Sequence, residues 1–390
     1  MHKKDITLRK ILLISAFPPC NKTAGQSYTN RLIQDLSRNN KVDLIYFSYQ
    51  NHQFDFENDN IEVKRIIRTN LIVKFFSSLK LFFFFPFFTS RFSLRVLWFI
   101  LMRNKNYDCI YFDFSQVFIY SLFINHKYKI LMSHDVIIQK YQRLDFKLRW
   151  LITSFCLFTE KIILCKKENK ILVFSEKDRK ILKNVYNVNS RIVDFYVDQQ
   201  IYQLKSSDFQ YKFDFVLFAA WNRDVNKEGL TWFINNVLNE INIMPNIKMS
   251  ILILGNGLPE ELQESLSLRR GIQIIGYVDN PYTYIAASRC LIAPIFNGAG
   301  VKVKVLESAF CATRVLGTGI ALEGISNDLQ IKCKKFENAY DLIDQMKEIM
   351  SLNYSSNEKY TDHLEILKIY PKKQFMDYFS SDLAIGVNHS

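Results

Sequence analysis

A chain of 390 residues exceeds what one ordinary hydrophobic core accommodates, so two domains are expected. Apolar residues at 48% and charged residues at 23% exclude an intrinsically disordered chain. The net charge of +13 favours an anionic partner, whether nucleic acid, a lipid headgroup surface or a phosphorylated substrate. Nucleic acid fits least, because the basic residues are scattered and no zinc, RNA-recognition or helix-turn-helix pattern is present. Seven cysteines, among them Cys20, Cys109, Cys156 and Cys290, form no CxxC spacing and no paired framework. With an odd count and no leader, reduced thiols in a cytoplasmic protein are expected. No Cys-His zinc spacing occurs.

Apolar runs alternate with helical patterns along the chain, which predicts α/β architecture. Ile11–Phe17 is a short apolar run that meets Pro18 and Pro19 without a small-residue cleavage site, so it reads as a buried first strand and not as a signal peptide. A loop from Pro18 to Gln26 leads to an amphipathic segment, Ser27–Ser37, and a second strand, Val42–Phe47. Cys109–Phe112, Ile130–Met132 and Ile171–Phe174 follow as short strands. The polar stretch Gln203–Tyr211 reads as a linker, and a second series begins at Phe213. Its strands are Phe215–Ala219, Ser250–Leu254, Ile272–Ile275, Cys290–Pro294 and Val315–Leu316, with helices over Leu230–Ile243 and Val303–Cys311. Two such series predict two doubly wound domains, 1–205 and 206–364, which leaves 365–390 as a terminal segment.

The segment Leu71–Met102 stands apart. It carries LIVKFF, LKLFFFFPFF and LRVLWFILM, punctuated by Lys74, Lys80, Arg91, Arg95 and Arg103. No uninterrupted run reaches the roughly 20 apolar residues of a spanning helix, and Pro86 breaks the richest stretch. Two readings stay open: core helices of the first domain, or a monotopic surface that sets aromatics into a membrane and cations against anionic headgroups.

The most informative stretch is Ala293 to Ile325, APIFNGAGVKVKVLESAFCATRVLGTGIALEGI. A strand ends at Pro294, a loop with Gly298 and Gly300 follows, and a helix begins near Lys302. Such a turn aims backbone N–H groups and the positive helix end at an anion, here a diphosphate. The glycines permit close backbone approach. Lys302 and Lys304 add positive charge, and Glu307, a turn or more into the helix, suits a ribose diol. Taken alone, a GxG before a helix also fits a tight turn beside solvated lysines.

This stretch closely resembles the C-terminal half of the glycosyl transferases group 1 superfamily, whose pattern there is G-x-G-x-K-x-K-x-x-E followed by a small-residue helix. Glu323-Gly324 resembles the family's following E-G pair. FVLFAAWNRDVNKEGLTWFINNVLNEI is similar to its strand, Trp turn, Asn and "WF" helix, with Trp221, Asn226, Trp232 and Phe233 in those places. LILGNGLPEEL, IIGYVDNPYTYIAASRCLIAPI and KILVFSEKDRKIL resemble further family segments. In the N-terminal half the likeness is sparser: ISAFPPCNKTAGQSYTNRL, YDCIYFD and ILMSHD resemble a first strand with its glycine loop and two later strands. It spans roughly residues 10 to 350.

The resemblance implies a GT-B fold, two Rossmann-like domains facing each other across a cleft, with the donor nucleotide in the C-terminal domain and the acceptor mainly on the N-terminal one. It implies that Pro371–Phe379 lies in a last helix crossing back. It implies a retaining, metal-independent transfer of a sugar from a nucleotide sugar to an acceptor hydroxyl, with no cofactor. Glu307 then takes the ribose; Gly298, Gly300 and Val301 form the diphosphate and sugar loop; Lys302 or Lys304 serves as the diphosphate cation, the two being inseparable by position. Arg223 and Lys227 match an Arg/Lys pair on the phosphates. Gly25 lets the N-terminal loop approach the donor, and His134 faces the reacting sugar; His134 and Lys302 are the expected catalytic residues. Each also has a plainer reading, as loop histidine or solvated side chain. Ala299 stands where the superfamily often carries a second glutamate, and Tyr196 precedes Val197-Asp198 where an Asn-Gly turn is common. The expected acceptor is a polysaccharide, lipid-linked oligosaccharide or lipopolysaccharide core at the inner face of a bacterial membrane. The rival readings are a non-catalytic GT-B-like glycan- or partner-binding protein and a sugar-nucleotide epimerase.

Overall fold

A computed structural model describes residues 8–371 except 22, 50–55, 57, 144–146, 148, 167 and 244–248. The chain divides between Tyr196 and Val197 into two units.

The first unit runs β1 (Arg9–Ser15), α1 (Ala24–Ser37), β2 (Asn40–Ser48), β3 (Ile61–Arg68), α2 (Leu71–Lys80), α3 (Pro86–Thr89) and α4 (Leu94–Arg103). It continues with β4 (Cys109–Asp113), β5 (Lys129–Ser133), α5 (Ile138–Gln142), α6 (Arg149–Leu164), β6 (Asn169–Val173), α7 (Glu176–Tyr186) and β7 (Ser190–Ile192). Its strands form a parallel sheet of order β3-β2-β1-β4-β5-β6-β7. Ile11, Leu12, Leu13 and Ile14 in β1 are fully buried, as a central parallel strand covered on both faces requires. The order reverses between β1 and β4, which opens a crevice beyond the strands' carboxyl ends.

The second unit runs α8 (Gln199–Tyr202), β8 (Phe213–Phe218), α9 (Asp224–Phe233), a π turn (Ile234–Leu238), α10 (Asn239–Ile243), β9 (Ile251–Leu254), α11 (Glu260–Ser267) and β10 (Ile272–Ile275). After these come α12 (Tyr282–Ala286), β11 (Ser288–Ala293), α13 (Val303–Phe310), β12 (Arg314–Gly317), α14 (Asn327–Gln330), β13 (Cys333–Lys335), α15 (Ala339–Ser351) and α16 (Ser356–Ile369). The parallel order is β10-β9-β8-β11-β12-β13, with its switch point between β8 and β11. Each unit has its own core, one built around Leu12, Phe112 and Phe118 and the other around Phe215, Phe233 and Leu316.

Several expectations change. Helix α1 starts at Ala24, capped by Thr23, so Gly25 lies in its first turn and not in a loop reaching Gln26. Helix α9 begins at Asp224, six residues before the expected Leu230. The supposed linker Gln203–Tyr211 belongs to the second unit: Phe209 is fully buried, its ring 5.2 Å from Tyr360 and 5.0 Å from His363. Phe209, with Leu204 also buried, thus anchors a stretch whose polarity reads as linker. The segment 71–102 divides, with Phe88, Phe92, Val96, Phe99 and Ile100 in the core and much of α2 outside it. Residues 365–369 end α16, and the expected crossing helix at Pro371–Phe379 lies, beyond Pro371, outside the described residues.

Candidate active site

In the second unit two loops leave neighbouring strands at the switch point, one after β8 and one after β11. The β11–α13 loop turns at Gly298 (φ 112°) and Gly300 (φ 71°), both in the left-handed region that favours glycine. Lys302 occupies the N-cap of α13 in extended conformation. Its ammonium donates to the carbonyls of Ala299 (3.0 Å) and Gly300 (2.7 Å), so it braces the loop that carries it. Val301 is part of this bend. The first-turn N–H groups of a helix lack intrahelical acceptors, which leaves such an end suited to an anion.

Two turns of chemistry tie this loop to its neighbour. Lys304 Nζ donates to Asn226 Oδ1 at 3.1 Å, and Asn226 Nδ2 donates to the Ala220 carbonyl at 2.9 Å. Asn297 Nδ2 reaches the Glu228 carboxylate at 3.0 and 3.2 Å. Gly229 makes the approach feasible, since a Cβ there would meet the Pro294 carbonyl oxygen at 1.9 Å. Burial pushes the Lys304 ammonium down to about 7, and the positive charges of Lys302 and Arg223 push in the same direction. Three cationic side chains therefore share a field with no partner carboxylate acting on Lys304 strongly enough to reverse it.

Arg223 stands exposed at the N-cap of α9. Lys227, one turn on, lies 3.6 Å from Asp224 Oδ1. Glu307 accepts a hydrogen bond from the Tyr282 hydroxyl at 2.8 Å. Burial raises the Tyr282 phenol above its ordinary range, reinforced by the Glu307 charge, so Tyr282 remains a donor that orients the carboxylate. The structure thus brings Arg223, Lys302 and Lys304 together, while Lys227 and Glu307, on the same two helices, pair with Asp224 and Tyr282. Tyr282 and Asn226 are the members that were not singled out as site residues; Asn226 carried a motif signal, whereas Tyr282 lies 25 residues from its partner.

The first unit holds a separate cluster at its own switch point. His134 follows β5, and its Nε2 lies 2.8 Å from Asp113 Oδ1 at the end of β4. Asp113, fully buried, also accepts from Ser15 Oγ (3.0 Å) and Thr29 Oγ1 (2.5 Å) through Oδ2. Phe114 stacks on the imidazole at 3.7 Å and 11° while its own backbone sits at φ 73°. A non-glycine residue in that region is strained and is held there by its surroundings. Gly25 closes the other side: a Cβ would lie 2.9 Å from the Phe114 ring and 3.2 Å from His134 Nδ1. Gly25 and His134 are brought together. Asp113, which sequence reading passed over, fixes the imidazole; its signal was a carboxylate ending a buried strand in YFD.

Known proteins share part of this sequence and its fold. Residues 213–351 match the family model described as "Glycosyl transferases group 1". A protein of Klebsiella pneumoniae described as an "Uncharacterized 44.6 kDa protein in cps region" is 32% identical over a stretch covering 32% of this chain and 36% of that protein. The chain therefore spans about a third of the length of that curated relative. Among solved structures, sucrose-phosphate synthase from Thermosynechococcus elongatus superposes with a TM-score of 0.63 at 15% identity, covering 92% of this chain and 94% of that one. Anabaena HepE in complex with UDP and glucose gives 0.63 at 11% identity, covering 98% and 100%. WaaG, titled as a glycosyltransferase involved in lipopolysaccharide biosynthesis, gives 0.62 at 11%, covering 96% and 99%. The chain has the GT-B fold, and its residues 213–351 are similar to the glycosyl transferases group 1 family.

Proposed function

We propose that the protein is a glycosyltransferase that moves a sugar from a nucleotide-sugar donor to an acceptor hydroxyl. The observation that carries this reading is the cationic turn of the second unit: Gly298 and Gly300 bend the chain onto the start of α13, and Lys304, Lys302 and Arg223 concentrate positive charge beside it. Preorganised cations and backbone dipoles favour the diphosphate most as it leaves, when its charge is greatest. On this reading no metal is needed, since these groups carry the positive charge. Glu307, held by Tyr282, accepts bonds from the ribose. The expected stereochemical course is retention, with a donor phosphate oxygen taking the acceptor proton. His134, fixed by Asp113, contacts the reacting sugar. The acceptor is a glycan or lipid-linked glycan of a bacterial surface polysaccharide or lipopolysaccharide; the likeness to the cps-region protein and to WaaG supports that class.

The test is thermal denaturation with a panel of UDP-, GDP- and CMP-sugars in EDTA, for wild type and Glu307→Ala. A ligand at 100 times its dissociation constant adds about 2.7 kcal/mol of apparent stability. One nucleotide sugar is expected to stabilise the wild type and to lose most of that effect in the variant. Folded wild-type protein that responds to none of them in EDTA or with added magnesium would remove the donor site, and a response confined to magnesium would remove the metal-independent mechanism.

A further inference from the structure

Helix α2 has almost nothing of itself in the core. Of its ten residues only Ser77 is buried, while Leu71, Ile72, Phe75 and Phe76 are 81, 66, 62 and 56% exposed. The turn after it exposes Phe82 and Phe83, whose rings lie 3.8 Å apart. Helix α6 turns a second apolar stripe outward: Leu151, Phe155, Phe158 and Ile162 are exposed at spacings of four, three and four, which is one helical face. The two features are joined. Phe85 N donates to Thr159 Oγ1 at 2.8 Å, and the Phe85 ring meets Phe155 edge-on at 5.6 Å. The Phe82–Phe83 turn therefore lies beside the α6 stripe, within one unit.

Among the described residues of α2, the Phe82–Phe83 turn and α6, every exposed charged side chain is basic. From Val63 to Tyr107 there is no Asp or Glu, while nine Lys or Arg fall in that stretch. Exposed Lys80 ends α2, and exposed Arg149 and Lys161 flank the α6 stripe. The one carboxylate of α6, Glu160, is buried and bonded inward to the N–H groups of Ile137 and Ile138.

We propose that α2, the Phe82–Phe83 turn and the outer face of α6 form a monotopic docking surface for an anionic lipid bilayer. Folded chains rarely leave so much contiguous apolar surface in water without a partner. Aromatic rings entering the acyl boundary, ringed by cations that meet lipid phosphates, match this composition. The surface lies on the bilayer and does not cross it: ten residues of helix span only about 15 Å, and among the described residues no helix is long and apolar enough to span. A second copy of the chain fits less well, because a two-fold contact through this face would set its cations against their own kind. The proposal rests on exposure and charge and is independent of the glycosyl-transfer reading.

The experiment is co-sedimentation of the full chain with pure phosphatidylcholine vesicles and with mixed phosphatidylcholine–phosphatidylglycerol vesicles. Wild type is expected to pellet with the anionic vesicles, far less with the neutral ones, and less as salt rises. Phe82→Ser with Phe83→Ser is expected to weaken partitioning about tenfold or more, as removal of two buried rings would. Lys80→Glu with Lys161→Glu should abolish the preference for anionic lipid. Since the substituted residues are exposed, the far-ultraviolet circular dichroism should not change. Should a variant misfold, quenching of exposed Trp150 in the wild type by brominated anionic lipid, lost in Trp150→Phe, reports the same contact. Wild type that stays in the supernatant of both vesicles would overturn the proposal. So would binding that ignores the Phe82/Phe83 changes, or light scattering that shows these residues hold a dimer instead.

Discussion

Lys304 is the residue whose chemistry depends most on what sits beside it. Burial lowers its ammonium to about 7, and Lys302 and Arg223 add to the effect. A diphosphate nearby would favour the charged form and raise that value again. Nucleotide binding at pH 8 is therefore expected to take up close to one proton, and affinity should fall as pH rises above about 7. Calorimetry, in phosphate and in Tris, of the nucleotide that the panel selects reads the uptake as a buffer-dependent enthalpy, and Lys304→Met should remove the difference. Identical enthalpies in both buffers for the wild type would show that Lys304 does not meet the phosphates. In the other unit, Asp113 acts through His134. Asp113→Asn keeps the shape but sets an amide against Ser15 and Thr29, freeing the imidazole to reorient. A fall in kcat on the order of 100-fold is expected, with KM for the donor changed much less; equal losses in both would mean Asp113 serves folding alone. Glycines and lysines in a tight motif can be read from a sequence because their spacing is local. The Asp113–His134 and Tyr282–Glu307 pairs cannot, because strand order alone brings residues 21 and 25 apart into contact.

Among elements, the central strands and the edge strand β10 (Ile272–Ile275) were legible, while the edge strands β3, β7 and β13 were not. Ile11–Ile14 and Ile251–Leu254 are continuous apolar runs because both faces are covered. By contrast β3, IEVKRIIR, mixes charge into every second or third position, and β7 and β13 are three residues each, SRI and CKK. At a sheet edge one side faces water, so the pattern that identifies a buried strand is absent. Helix α6 shows how an element is fixed by a polar group inside. Glu160 takes the N–H groups of Ile137 (2.9 Å) and Ile138 (3.1 Å) just before and at the start of α5, and the Tyr186 hydroxyl at the end of α7. Burial lifts its carboxyl to about 7, even though these bonds favour the charged form. Glu160→Ala leaves three buried donors without an acceptor and should cost roughly 3 kcal/mol or more in urea unfolding. The pH dependence has a definite sign. Because the folded value is raised, stability linked to this group is full below about 4.5 and is lost as pH rises through about 7. Wild type should therefore lose stability across that window relative to Glu160→Gln, and parallel curves for the two would place the carboxyl's folded value near its ordinary one.

At the scale of the whole molecule, the two units differ in how openly the sequence declares them. Each is a parallel sheet with a candidate cluster at its switch point, yet the motif-dense half is the second, where the family match falls on residues 213–351. The first unit's fold was visible as alternating strands and helices, while its boundary was displaced by the buried Phe209, which draws residues 203–211 into the second unit. Separate cores carry a thermodynamic consequence. One contains Leu12, Phe112 and Phe118, the other Phe215, Phe233 and Leu316, so unfolding is expected in two calorimetric transitions and not one. The proposed nucleotide contacts, Arg223, Lys304 and Glu307, all lie in the second unit. A ligand that binds one folded unit stabilises that unit by mass action. A saturating nucleotide sugar that the denaturation panel selects should therefore raise one transition and leave the other in place, and Phe209→Ala should lower the same transition that it raises. A single cooperative transition that moves as a whole with that ligand would show that the two cores unfold as one, and that residues 197–371 do not carry the nucleotide site as an independent body.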